Sequence, residues 1–94
     1  MDDLKDAALI ERGAKAEKLI KDPLLCEAFD LVKQSLTKAW ETSPVRDKDG
    51  REYLYLMIKA VNDSHGYLEQ ALRDGKVALH SMEQRSLFQK LMRR

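Results

Sequence analysis

LYLMIKAVNDSHGYLEQAL, residues 54–72, decides the fold. Leu54, Ile58, Val61, His65, Leu68 and Leu72 follow one another at spacings of four, three, four, three and four, which is a heptad seam on one face of a long helix. Such a seam needs a long partner. Tyr53, Tyr55, Leu56, Met57, Ala60, Tyr67 and Ala71 surround the same helix, more apolar surface than a single neighbour covers.

Upstream, the stretch SPVRDKDGREYLY, residues 43–55, carries Asp47, Asp49 and Gly50 in the Asp-x-Asp-Gly pattern of a calcium loop. If these are loop positions three, five and six, then Val45 holds position one and Leu56 replaces the bidentate Glu of position twelve. A bend uses the residues better. Ser43-Pro44 turns the chain, Asp49 is expected to cap the next helix, and Glu52 three residues on completes a capping box. Before the bend, Leu25, Phe29, Val32, Leu36 and Ala39 or Trp40 form an apolar stripe on a helix that ends near Thr42. Asp22 as N-cap and Pro23 in the first turn open it. The bend is short, so this helix and the seam helix are expected to form a central antiparallel hairpin.

Residues 3–21 read as a further helix, with Leu4, Ala7, Ala8, Ile10, Ala14, Ala16, Leu19 and Ile20 around Gly13, a face small enough to approach a neighbour closely. At the other end, RDGK at 73–76 reads as a stop with Gly75 as C-cap, followed by a last helix over 77–92. The expected fold is all-α: three or four helices, at about 3–21, 23–42, 50–74 and 77–92, in one bundle-like, oligomeric domain spanning 1–94. The chain has 94 residues, close to the lower size at which one core sustains a fold, so burial against a second copy would help.

Composition narrows the function. Apolar residues make up 44% and charged residues 35%, which excludes a disordered chain, and no stretch approaches the roughly 18 apolar residues of a membrane span. The opening MDDLKDAALIERGAK is acidic and amphipathic, unlike a signal peptide, so a cytosolic chain is expected. Cys26 is the single cysteine, which rules out an internal disulfide and reads as a buried thiol on a helix. Asp63, Ser64 and His65 are the residue types of a hydrolase triad, but neighbours on a helix point about 100° apart and cannot form the relay. His65 falls on the seam, where a polar residue sets register. The four glycines are scattered singly, so there is no phosphate loop. Neither an enzyme nor a cofactor, metal or small-molecule substrate is expected.

Net charge is +1, yet residues 76–94 carry Lys76, Arg85, Lys90, Arg93 and Arg94 against Glu83 alone. Two uses follow. Leu79, Met82, Leu87, Phe88, Leu91 and Met92 are large for a tail and are the candidate partner-binding residues. Arg85, Lys90, Arg93 and Arg94 are the candidate contacts to phosphate or to an acidic partner, and cations there also suit the helix dipole.

RGAKAEKLIKDPLLCEAFD at 12–30, Trp40 with TSPVRDKDGREYLYLMIKAV at 42–61, and YLEQALRDGKVA at 67–78 resemble, in their order, small helical proteins of unassigned role encoded in tailed-bacteriophage genomes. That resemblance implies a viral protein of the host cytoplasm or the virion. The expected function is a non-enzymatic protein-interaction module of a phage assembly, which binds itself or another phage protein through apolar helix faces. The alternative is a nucleic-acid-binding accessory protein that uses the basic C-terminal helix.

Overall fold

A computed structural model describes residues 2–93. Among them are three helices and no strand: α1, Asp2–Lys21; α2, Pro23–Glu41; and α3, Lys48–Met92. The chain is all-α. None of the helices is long and apolar enough to cross a membrane, the described residues alone being considered. Two compact units form, one from Ile20–Tyr67 and the other from α1 up to Leu19 with α3 from Leu68 onward.

In the first unit, α2 starts as its sequence requires. Asp22 stays extended and accepts the amide protons of Leu24 at 2.9 Å and Leu25 at 3.1 Å, while Pro23 fills the first helical position, where its missing N–H costs nothing. The helix ends with Thr42 as C-cap, whose Oγ1 donates to the Lys38 carbonyl at 2.8 Å. Cys26 is half-buried rather than buried, and its thiol donates to the Ile20 carbonyl.

Across the bend, the Asp47 amide donates to the Pro44 carbonyl at 3.0 Å, which closes a turn, and α3 begins at Lys48. The cap is Asp47 and not Asp49: Asp47 Oδ1 accepts the Gly50 amide at 3.0 Å, and the Asp47 carbonyl accepts the Arg51 amide. Asp49 lies inside the first turn, where its charge suits the dipole, and the residue three beyond the true cap is Gly50, so the expected box with Glu52 does not arise. The Asp-x-Asp repeat offers two equivalent caps, and the turn at Pro44 selects the earlier one. Asp47→Ala is expected to cost about 1 kcal/mol. A methyl added at Gly50 would lie 2.7 Å from Asp47 Cγ. Gly50→Ala therefore displaces the cap, and its helix-propensity gain of about 1 kcal/mol is visible only once Asp47 is already alanine. Urea unfolding of the two single variants and the double variant measures this coupling. Equal Gly50→Ala effects in both backgrounds would contradict it.

Phe29 meets the His65 ring edge-on at 5.5 Å between centroids, and the Arg51 guanidinium lies over Trp40 at 5.4 Å. These contacts pair α2 with the first half of α3 in opposite chain order. Leu54, Ile58, Val61 and His65 are all half-buried, while most of their neighbours are exposed, so the heptad seam describes the inward face.

In the second unit α1 and α3 also pair in opposite order, at very close range. A methyl on either Gly13 or Gly75 would lie 2.9 Å from the other's Cα, and the Leu9 and Ala71 carbonyls are almost as near. Gly13, Ala16, Ala71, Gly75 and Ala78 are buried. The expected stop at Gly75 is absent. No described glycine has a positive φ, and α3 runs through 45 residues without a break. Gly75 serves the approach of α1 rather than a C-cap, so a residue that costs about 1 kcal/mol in an isolated helix is retained for packing. The inward face of α1 also differs from the expected one. Asp6, Leu9, Ile10, Gly13, Ala16, Glu17 and Ile20 are buried or half-buried, whereas Leu4, Ala7, Ala8, Ala14 and Leu19 are exposed. Leu68 and Leu72, expected against α2, belong to the unit that α1 completes.

Candidate functional site

The α2–α3 pair carries an apolar groove of about 300 Å³, lined by Leu25, Ala28, Phe29, Val32, Met57, Ala60, Val61 and Ser64. Its origin is a mismatch of side-chain size. Ala28, Ala60 and Ser64 are too short to close the space between the helices. On the same faces at helical spacing stand Leu24, Leu31, Tyr53, Leu56 and Tyr67, all more than half exposed. The sequence pattern marked this apolar excess on the seam helix but assigned no site to it.

Ser64 Oγ donates to the Ala60 carbonyl at 2.9 Å in its own helix, while His65 packs on Phe29. No three His, Cys, Asp or Glu side chains among the described residues gather where they could hold a metal ion.

The C-terminal candidates divide. Ala78 is 3% exposed and Met82 half-buried, so this part of α3 lies on the face turned to α1, whereas Leu79 is 45% exposed beside a shallow hollow lined by Ile10, Gly13 and Gly75. Leu87, Phe88, Leu91 and Met92 are exposed. Lys90 and Arg93 are exposed too, and Arg94 lies outside the described residues.

Arg85 has a different role from the other cations. Its Nη2 donates to Asp3 Oδ1 at 2.9 Å and, more closely, to Asp6 Oδ2, and Asp6 is only 15% exposed in its side chain. The Asp6 hydrogen bond first, then the Asp3 bond, holds the Arg85 guanidinium above its ordinary pKa. Composition placed Arg85 in a basic cluster; its partners lie some eighty residues away in sequence, and local spacing carries no trace of them. Arg85→Ala is expected to speed amide exchange over residues 3–9 while leaving α2 protected. Hydrogen exchange resolved by residue checks this, and unchanged protection in α1 would contradict the role.

The chain matches no protein family, no curated protein and no solved structure.

Proposed function

We propose that this protein is a non-enzymatic interaction module whose fold is completed by another chain, with the α2–α3 antiparallel hairpin as its binding element. One observation carries the reading: the described residues that are buried are glycines and alanines, while the large apolar side chains of all three helices stay partly in water, many of them more than half. A methyl group supplies about 0.8 kcal/mol on burial, far too little, summed over these positions, to offset the ordering of the backbone. The accessible surface says the same. It measures 7822 Å², against about 5600 Å² for a folded monomer of this mass. The surplus of roughly 2200 Å² per chain is well above the ~800 Å² that each partner gives to a standard interface and suits an obligate assembly.

The tailed-phage setting belongs to this proposal and rests on the sequence resemblance alone. Basic residues give less support to a nucleic-acid role than their number suggests, because Arg85 is already paired within the chain. Retention of DNA at low salt that disappears in Arg93→Ala would favour that role instead.

Assembly linked to folding makes stability depend on protein concentration. The thermal midpoint is expected to rise steadily over a hundredfold increase in concentration. A midpoint that stays constant over the same range would contradict the proposal.

A further inference from the structure

QRSLFQKLMRR, residues 84–94, holds four cations and no acid. The helix sorts them. At 100° per residue, Leu87, Leu91, Phe88 and Met92 fall within an arc of about 140°, with Lys90 about 60° outside one edge and Arg93 about 100° outside the other. The four apolar side chains are all more than half exposed, and both cations are exposed too. Ala78, Met82 and Arg85, the residues turned to α1, lie on a line roughly 120° from the middle of this arc. The four also stand beyond the level at which Arg85 meets Asp3 and Asp6, so α1 leaves them uncovered on two counts.

We infer that this end of α3 packs against an acidic amphipathic helix of a protein partner. Its four apolar side chains enter the partner's apolar stripe, and Lys90 and Arg93 meet carboxylates at the two edges of that stripe. The surface is distinct from the α2–α3 groove and belongs to the other compact unit.

Charge selects this occupant. Arg85 is paired with Asp3 and Asp6, so Lys90 and Arg93 are the described cations of this segment that face outward, and no acid between 84 and 94 offsets them. A second copy laid on the same surface would bring four cations together without an anion between them, which costs affinity. A bilayer takes an amphipathic helix lengthwise. Continued back along α3, the arc meets Gln84 with Glu83 beside it, both exposed, and an anionic lipid surface repels Glu83. A helix that crosses α3 at the common angle of about 50° touches the last two turns and avoids both. Nucleic acid would use the cations and leave the apolar arc in water.

The probe is a synthetic helix with leucine at heptad positions a and d and glutamate at e and g, and its binding to the full-length chain is measured by fluorescence anisotropy. Saturable binding weakened by added salt is expected. Leu91→Glu should weaken it at least tenfold, and so should Lys90→Glu combined with Arg93→Glu. Helix content by circular dichroism should not change in these variants, since the three residues are exposed. The same peptide with lysine in place of glutamate should not bind, nor should phosphatidylserine vesicles or a duplex DNA oligonucleotide. Absence of binding to the glutamate peptide, binding that Leu91→Glu leaves unchanged, or tighter binding to the vesicles or the DNA would overturn the proposal. Molar mass separates it from the hairpin reading. Leu91→Glu should self-assemble as the wild type does, and a fall to the single-chain value would make a second copy the occupant and overturn the inference. A wild-type chain that stays monomeric yet binds the glutamate peptide would contradict the hairpin reading and leave this one standing.

Discussion

Gly75→Leu is expected to destabilise the protein by about 3 kcal/mol, the upper end of the usual cost of overpacking. Even a methyl at this position would sit 2.9 Å from Gly13 Cα and 3.0 Å from the Leu9 carbonyl, both backbone atoms that cannot swing aside. Separation of α1 from α3 is the only relief, and it exposes Ala16, Ala71 and Ala78, which are buried in the described structure. Gly75→Ala is milder, because about 1 kcal/mol of helix propensity offsets part of the clash. The order wild type, Ala, Leu in urea midpoint is therefore the diagnostic. Had Gly75 been a C-cap, the damage would arise instead from a left-handed φ that neither substitute tolerates, and Ala and Leu would be about equally harmful.

Phe29→Ala is the second large effect, about 3–5 kcal/mol in the assembled protein. Phe29 meets His65 on one side and opens onto the groove on the other, so one ring supports the packing of α2 on α3 and, in the proposed assembly, the surface beneath a partner. In a chain kept monomeric by Met57→Glu the same substitution should cost less, about 2 kcal/mol, since the groove side is then already wet. Chemical denaturation in the two backgrounds measures the difference. A cost independent of assembly would place Phe29 outside the interface.

The parts of the fold legible in the sequence are those set by neighbours in the chain. Asp22-Pro23 states the start of α2 through a capping oxygen and a fixed φ, and the four-three spacing from Leu54 to Leu72 states the inward face of α3. What escaped the sequence depends on contacts distant along it. Gly75 carries the local marks of a terminus, and only Gly13, 62 positions earlier, makes it a place of close approach. Leu9 faces inward while Leu4, Ala7 and Ala8 do not, and because α1 mixes its apolar residues around the helix, the pairing on α3 alone decides which of them are covered. The same holds for the site. Surplus apolar residues around the seam helix and the large side chains at 79–92 both raise the expectation of an interface, whereas the groove between α2 and α3 depends on how two helices are set side by side.

Molar mass in solution, measured by light scattering across a concentration series on the full-length chain, tests the central claim most directly. A dimer gives about twice the 10.9 kDa of one chain at micromolar concentration and above, and Met57→Glu brings it down to the single-chain value. A fully helical, cooperatively folded chain that remains at 10.9 kDa at every concentration would contradict the account.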